Sequence, residues 1–396
     1  MKKILTALLL PMFVCLTASV VIAEEEPVHK LVIECDGESN ADVEANRVEF
    51  SDNVRLTWSD LSMTCGHLVV QFDADNRTPL SLEATGYPKN ADERTTATAR
   101  LDANWSGYSF RCRRLSVSFD AKTHFPREIL AREDVWARLE SANYVVHAGQ
   151  VKGVVENWAD KLKFELTGDA SLPLVELGAK SFVATMEHGT VLLGGGKALL
   201  TAGGLKAYYD ISPGETILPK ELQKVSKGKL VVEARSADIR ETSAVMQGAD
   251  VSLGLLKLTA PTMKIELAED GKSPKWIECL AGNDERPVLS HEGLHVAASA
   301  LRAHFAKNAL ESFTAEGEAE ITVLDSDDEP ATAKCEKAVY TTGRVDLTAK
   351  EGGKVVIEYP AKGIRVVETR GTLTRGEAGR WNHSGFESTT EYIPKD

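Results

Sequence analysis

The sequence contains one pattern with recognisable catalytic chemistry, the five residues His291-Glu292-Gly293-Leu294-His295. On a helix, this HExxH pattern places two imidazoles one turn apart, where they can bind zinc while the glutamate activates a water molecule. Gly293 disfavours a helix, and the neighbouring residues repeat the strand-turn-strand phrase found elsewhere in the chain. On one strand the two histidines would lie about 13 Å apart, too far for a shared metal ion. The sequence therefore favours strands without a metal, and a zinc metallohydrolase remains an alternative function.

Three arginines, Arg111, Arg113 and Arg114, surround Cys112 and could bind phosphate or carboxylate groups. Their alternation with apolar residues is more typical of the solvated face of a strand. The glycine runs at 194–196 and 203–204 lack the strand-to-helix context of a phosphate-binding loop. No serine or cysteine nucleophile with its histidine partner is recognisable. We therefore expect no catalytic residue, no cofactor and no enzymatic activity.

Five cysteines follow residue 23, and three of them occupy similar phrases: Cys65, Cys112 and Cys335. Ala148 and Ala260 stand in what looks like the same slot. Cysteine that alternates with alanine indicates a small inward-facing packing position. We expect buried free thiols rather than a framework of disulfides.

The charge and the N-terminus limit the possible partners. The formal net charge of −13 disfavours a nucleic-acid partner, because binding to phosphates requires a basic surface. Lys2 and Lys3 precede an uncharged stretch to Ala23, which predicts a signal peptide over residues 1–23. The chain is therefore expected to be exported, either released or held by an N-terminal membrane tether.

Alternation of apolar and polar residues dominates the rest of the chain and predicts an all-β protein. A phrase recurs that begins with an acidic or amide residue before valine, at Val54, Val135 and Val251, and closes on a glycine. The separations from valine to glycine are 32, 33 and 31 residues. A unit that recurs and cannot bury its own apolar face must stack on its copies.

Prolines, glycines and a short helical pattern interrupt this rhythm between residues 205 and 228. We therefore predict a first module over residues 28–204, a linker over 205–228 and a second module over 229–390.

The phrases "FSDNVRLTWSDLSMTCGHLVVQFD" and "LSLEATG" resemble the OstA-like (LptA-like) family of periplasmic lipopolysaccharide-transport proteins. So do "AREDVWARLESANYVVHAGQVKGVVEN" and "LRAHFAKNALESFTAEGEAEITV". The resemblance implies two tandem modules, each an open β-jelly roll, which is a folded-over stack of antiparallel strands. It also implies a periplasmic protein whose apolar interior holds the acyl chains of lipopolysaccharide or a related glycolipid. Other transport components, or further copies of the chain in an end-to-end homo-oligomer, would stack on its strand edges.

The inward apolar rows would form the lipid trough. Its expected lining residues are Val54, Leu56, Val70, Phe72, Val135, Leu139, Val251, Leu253 and Leu255. Repeated strands also suit a secreted adhesin or glycan-binding protein, in which aromatic rings would stack on sugars from a shallow polar face. That class remains an alternative to lipid binding.

Overall fold

The computed structural model describes residues 31–392 of the chain. The description omits 59–60, 76–77, 87–94, 100–107, 123–125, 140–143, 158–160, 180–181, 195–196, 211–228, 241, 254, 268–273, 292–293, 307–308, 325–328, 342–343 and 376–380. The predicted signal peptide therefore lies outside the described residues. In the part of the chain that is described, no helix is long and apolar enough to cross a membrane.

The fold is all-β and jelly-roll-like, and the strand ladders are antiparallel. The first fifteen strands are β1 (Leu31–Glu34), β2 (Ser39–Asp42), β3 (Arg47–Trp58), β4 (Leu61–Phe72), β5 (Pro79–Thr85), β6 (Thr95–Ala99), β7 (Tyr108–Cys112), β8 (Arg114–Phe119), β9 (Pro126–Leu139), β10 (Tyr144–Asn157), β11 (Lys161–Thr167), β12 (Val175–Ala179), β13 (Phe182–Met186), β14 (His188–Gly194) and β15 (Lys197–Asp210).

The second fifteen strands are β16 (Lys229–Arg240), β17 (Ser243–Leu253), β18 (Leu256–Leu267), β19 (Pro274–Leu280), β20 (Val288–His291), β21 (Leu294–Ala297), β22 (Ala300–Ala306), β23 (Ala309–Leu324), β24 (Pro330–Thr341), β25 (Arg344–Thr348), β26 (Val355–Tyr359), β27 (Ile364–Glu368), β28 (Arg370–Arg375), β29 (Trp381–Phe386) and β30 (Thr389–Tyr392). A single turn of 3₁₀ helix, Pro360–Lys362, links β26 to β27.

The chain divides into two compact units between Leu205 and Lys206, with a short exchange at Ile239–Glu241. The division falls inside β15, which continues to Asp210 and so covers the first residues of the segment predicted as a linker. The rest of that segment, 211–228, lies outside the described residues. We call the two parts the N-terminal unit and the C-terminal unit.

Each long strand pairs with different neighbours along its two halves, and this divides each unit into two arms. In the N-terminal unit, the start of β4 pairs with β6 and its end pairs with β5. β9 likewise pairs with β7 along one half and with β8 along the other. The first arm thus holds β6 and β7, and the second arm holds β5 and β8. In the C-terminal unit, one half of β24 pairs with β25 and the other with β26, which places these two strands on different arms.

The two arms meet at a corner where the long strands bend. Asp52 and Asn53 of β3 have positive φ angles of 58° and 49°, and Glu133 and Asp134 of β9 have 64° and 59°. The strand register shifts at these residues, as it does at a β-bulge. Asparagine and aspartate tolerate this left-handed conformation better than most residues. The repeated phrase in the sequence therefore begins at the bend of a long strand.

The third copy of the phrase differs from this prediction. Asp250 and Val251 lie in regular strand, and the positive φ of 58° belongs to Gly248, two residues earlier. In β23, the corner is formed by Gly317 and Glu318, with φ angles of 77° and 50°. The physical requirement is a left-handed residue at the bend, and glycine meets it with the least strain.

Small residues fill the interior beside the corner. On the strand opposite each bulge, one inward residue precedes the corner and the next inward residue follows three positions later. These pairs are buried: Cys65 and Leu68, Cys112 and Leu115, Ala148 and Val151, Ala202 and Leu205, Ala260 and Met263, Cys335 and Ala338. In each pair the residue before the corner is cysteine or alanine, and the residue after it is in most pairs larger, so the small residue occupies the tighter of the two positions. The prediction of small inward packing positions is confirmed, and the described cysteines are free thiols.

A ladder of alternating charges crosses the outer face of five strands in the C-terminal unit. Lys264 Nζ lies 3.5 Å from Glu278 Oε2, and Arg302 Nε donates to Glu278 Oε1 at 2.8 Å. Arg302 Nη1 and Lys337 Nζ donate to the two carboxylate oxygens of Glu316, each at 2.6 Å. Hydrogen bonds from Arg302 and Lys337 lower the pKa values of Glu278 and Glu316, respectively. The ladder thus stabilises the lateral pairing of β18, β19, β22, β23 and β24.

We expect Cys65, Cys112, Cys279 and Cys335 to resist alkylation in the folded protein. Burial raises the pKa of each thiol to about 12, so little reactive thiolate exists at pH 8. Peptide-level mass spectrometry after iodoacetamide treatment should show these four modified only in denaturant, while half-buried Cys35 serves as the internal comparison. Rapid labelling of the native protein at these sites, or extensive disulfide pairing, would contradict the assignment.

Glu278→Gln should lower the free energy of unfolding at pH 7 by about 1 kcal/mol, because solvent screens a ladder that lies on the surface. The pKa of Glu278 is depressed by folding, so its contribution is present above the unfolded pKa and is lost as the pH falls through the folded pKa. Urea titrations at pH 7 and pH 3 should therefore show a difference only at pH 7. Glu351→Gln, a change in an exposed loop, is the matched control.

Candidate functional site

The inner face of the N-terminal unit forms a continuous apolar surface, and it is the candidate binding site. Val54 and Leu56 of the first arm are 0% and 1% exposed. Val70, on the second-arm half of β4, is also fully buried. Val135 continues the same row on β9 and is fully buried. These four predicted lining residues therefore face the interior close to the corner.

Side chains of the inner face become more exposed with distance from the corner. Along β3 the exposed fraction rises from 0% at Val54 to 7% at Trp58, and along β8 it rises from 3% at Leu115 to 6% at Phe119. Phe72, the last residue of β4, is half-buried. The apolar interior is thus closed at the corner and remains more than 90% buried as far as Trp58 and Phe119, whereas Phe72 at the end of β4 is partly exposed.

Trp58 and Phe119 bridge the two arms. Trp58 belongs to the first arm and Phe119 to the second, and their ring centroids lie 4.5 Å apart in an edge-to-face arrangement. This contact shows that the inner faces of the two arms pack against each other. Neither aromatic residue belongs to the predicted lining set. Trp58 continues the inward row of Val54 and Leu56 on β3, and Phe119 continues that of Leu115 on β8.

The remaining predicted lining residues occupy different environments. Leu139 and Leu253 lie in strands, and their side chains fall outside the described residues. Val251 is half-buried. Leu255 lies in the tight turn between β17 and β18 and is 59% exposed, so it is no part of the inner row. The sequence pattern Val251, Leu253, Leu255 suggested one uninterrupted strand, but the hairpin pairs Leu253 with Leu256 and places the turn at Leu255.

The HExxH residues form a hairpin instead of a helix. His291 ends β20 and is opposite Leu294, while His295 of β21 is opposite Ser290. The two histidines therefore occupy neighbouring rungs, whose side chains point to opposite faces of the sheet. Ser290 Oγ lies 3.1 Å from His295 Nδ1. Within the described residues, no group of three potential metal ligands is present here or elsewhere.

The three arginines around Cys112 are exposed on the outer face, while Cys112 itself is buried. Arg114 Nε lies 2.9 Å from Glu133 Oε1 at the corner. The backbone NH of Arg113 donates to the carbonyl of Glu133 at 3.2 Å. These contacts give Arg113 and Arg114 a structural role at the bend between β7 and β8.

An ordered aromatic and charged cluster lies near the corner on the outer face. The indole NH of Trp136 donates to Asp134 Oδ1 at 2.9 Å, and His147 Nε2 lies 2.8 Å from the same oxygen. The rings of Trp136 and His147 stack with centroids 3.9 Å apart, and Glu176 Oε2 lies 3.2 Å from His147 Nδ1. Trp136 remains 37% exposed, as the glycan-binding alternative would require of an aromatic ring on a polar face.

Glu368 is a charged residue in the otherwise apolar interior of the C-terminal unit. Its side chain is fully buried, and its Oε1 lies 3.0 Å from Nε2 of His383. Its Oε2 has no hydrogen-bond partner among the described residues. Gly371 and Gly385 lie against the carboxylate, since a Cβ atom at either glycine would overlap it. Sequence analysis missed this pair, because Glu368 ends an apolar strand and resembles a surface residue.

Comparisons with known proteins identify no family for the chain. No family model matches it, and no curated protein matches it. Among solved structures, it is similar to LptH, described as the LptA homologous periplasmic component of the conserved lipopolysaccharide transport device from Pseudomonas aeruginosa. That match covers 38% of this chain and 96% of LptH, with 6% sequence identity and a TM-score of 0.30. A likeness this weak assigns neither family nor function.

Gly385→Ala should destabilise the C-terminal unit by about 1–3 kcal/mol, because the new methyl group would overlap the Glu368 carboxylate. Combining it with Glu368→Ala should cost less than the sum of the two single changes, since the overlap is then removed. Thermal or urea unfolding of the four proteins measures this coupling. Gly178→Ala, where a Cβ would meet nothing within 4 Å, is the control and should be nearly neutral.

Proposed function

We propose that this chain is a non-enzymatic lipid-binding protein of the periplasm that carries or bridges lipopolysaccharide, or a related glycolipid, towards the outer membrane. The observation that carries the proposal is the apolar inner face, whose inward rows run from the corner along both arms and end at the partly exposed Phe72 on β4. Transfer of each methylene of an acyl chain from water to such a surface contributes about 0.8 kcal/mol. A few acyl chains would therefore bind strongly without any catalytic group.

The way the arms are built supports reversible opening of this interior. Trp58 and Phe119 hold the inner faces together through one aromatic contact, whereas the residues beside the corner are completely buried. An acyl chain that separates the arms far from the corner would replace their apolar contacts with equivalent apolar contacts. The corner itself keeps the backbone hydrogen bonds of the long strands intact.

Strand edges support the proposed partners. In the ladders of the described residues, β1 and β2 pair only with β3. At the other end of the chain, β29 pairs only with β28, and β30 pairs only with β27. Phe386 and Tyr392 near the C-terminal edge are 63% and 80% exposed. Unpaired backbone groups beside exposed aromatic side chains favour addition of a partner strand. We propose that other transport components, or further copies of this chain in an end-to-end homo-oligomer, bind at these edges.

A photoreactive phenylalanine analogue at Trp58 tests the lipid proposal with little change in side-chain size. When the protein is expressed in a lipopolysaccharide-producing host, irradiation should yield an adduct with lipopolysaccharide from position 58, and also from Leu56 and Leu253. The outward neighbours Thr57, Arg55 and Ser252 are the matched controls. Adducts are detected by immunoblotting for protein and lipid.

Val54→Asp provides a second test of the same proposal. A carboxylate beside the corner should reduce adduct formation from position 58 by more than tenfold, while a urea titration measures how much stability is lost. Equal adducts from inward and outward positions, or none from any inward position, would contradict lipid binding in the interior. The glycan-binding alternative predicts the second of these results.

A further inference from the structure

A cleft of about 390 Å³ opens on the C-terminal unit, on the outer side of β23 and β24. Glu318 at the corner of β23 and Lys334 and Glu336 of β24 contribute to its walls. The loop between β25 and β26 supplies Lys350 and Lys354. The size of the cleft lies within the range of pockets that hold small molecules.

Arg286 closes one side of the cleft and is fixed by two contacts. Its Nη2 donates to Glu318 Oε2 at 2.8 Å, and its Nη1 donates to the backbone carbonyl of Glu318 at 3.2 Å. Glu318 adopts a positive φ of 50° at the corner of β23, and its backbone carbonyl faces Arg286, which lies in the loop between β19 and β20. The ion pair neutralises the charges of Arg286 and Glu318, and the two side chains together form one wall of the cleft.

The three lysines of the cleft have no such partner. Within the described part of the chain, no carboxylate oxygen lies within 4.0 Å of the ammonium group of Lys334, Lys350 or Lys354. Lys334 is directly opposite Glu320 in the strand register, and still the two do not form an ion pair. Together with Arg286, these lysines give the cleft four cationic side chains against the three carboxylates Glu318, Glu320 and Glu336, a small positive excess in a chain whose net charge is −13.

The same cleft contains Glu320 and Glu336, two carboxylates that form no ion pair with any residue in the described part of the chain. These carboxylates offset much of the attraction that the lysines exert on a simple inorganic anion. A ligand that combines an anionic group with several hydroxyl donors would satisfy both sets of side chains, since carboxylates accept hydrogen bonds from hydroxyls and lysines bind phosphate. The combination of charges selects the ligand class more narrowly than the lysines alone.

We propose that this cleft binds a phosphorylated saccharide. The phosphate group pairs with Lys334, Lys350 and Lys354, and sugar hydroxyls donate to Glu320 and Glu336. The head group of a glycolipid and a free sugar phosphate offer the same chemistry. The site lies on the outer face, so the proposal stands independently of acyl-chain binding in the interior.

Isothermal titration of the exported chain with glucose 6-phosphate, glucose and inorganic phosphate tests the ligand class. We expect glucose 6-phosphate to bind most tightly. Lys350→Gln combined with Lys354→Gln should weaken its binding by about tenfold or more. Lys275→Gln, which removes an exposed lysine elsewhere in the same unit, is the matched control and should leave the affinity unchanged.

Glu336→Gln separates saccharide recognition from general anion binding. This change should weaken the binding of glucose 6-phosphate and strengthen that of inorganic phosphate, because it replaces a carboxylate acceptor with a weaker amide acceptor and removes a repulsive charge. Binding of glucose 6-phosphate that is unaffected by the lysine changes, or no lysine-dependent binding of either glucose 6-phosphate or phosphorylated glycolipid micelles, would overturn the proposal. So would equal affinity for inorganic phosphate and glucose 6-phosphate.

The two possible sources of the ligand are distinguished with micelles of a phosphorylated and of an unphosphorylated glycolipid. Lysine-dependent binding of the phosphorylated micelles alone identifies a lipid head group, and lysine-dependent binding of only the soluble sugar phosphate identifies a free metabolite. Either result supports the cleft, and phosphate-independent binding of both micelles contradicts it. Failure of the interior crosslinks at position 58 would leave these titrations unaffected, so the two proposals fail separately.

Discussion

The bend in the long strands is the constraint on which the structure depends. A strand that served only one arm would leave each unit as an open sheet with one apolar face exposed to water. Left-handed residues at Asp52–Asn53, Glu133–Asp134 and Gly317–Glu318 let one strand contribute to both arms, so the two apolar faces cover each other. The extra residue of each bulge also restores the inward alternation on the far side of the bend.

This geometry explains the distribution of side-chain size in the interior. On one side of the corner, cysteine or alanine occupies the inward position of strand after strand, and leucine, valine or methionine follows on the other side in most of these strands. Farther out the separation increases, and Leu56, Trp58 and Phe119 fill the space. The depth of the proposed lipid site therefore follows from the bend, and the same narrowing keeps the thiols of Cys65 and Cys112 buried.

The outer faces serve different purposes in the two units. Near the corner of the N-terminal unit, Asp134 orients both Trp136 and His147 through one carboxylate oxygen. In the C-terminal unit, the charge ladder from Lys264 to Lys337 stabilises the pairing of five strands, while the lysines of the cleft remain without partners. Charged side chains that are already paired contribute mainly to stability, and those that are not paired remain available to bind a ligand.

The sequence by itself determined the fold class, the inward positions of Val54, Leu56, Val70 and Val135, and the buried thiols. These features depend on a period of two residues and on side-chain size, both of which are local properties. The sequence also disfavoured a helical metal site at 291–295 on local grounds, although its argument placed both histidines on one strand, whereas the structure places them on two paired strands.

Only the tertiary structure decided which residues meet across the interior and where the strands end. Trp58 and Phe119 belong to strands that do not pair with each other, and Glu368 at the end of β27 is buried against Gly371 and Gly385, which are partners in the β28–β29 pair. The turn at Leu255 interrupts an alternation that looked continuous, because the pairing of Leu253 with Leu256 fixes the hairpin. Convergence of three unpaired lysines on one cleft likewise depends on how β24 and the loop after β25 come together, which no local pattern encodes.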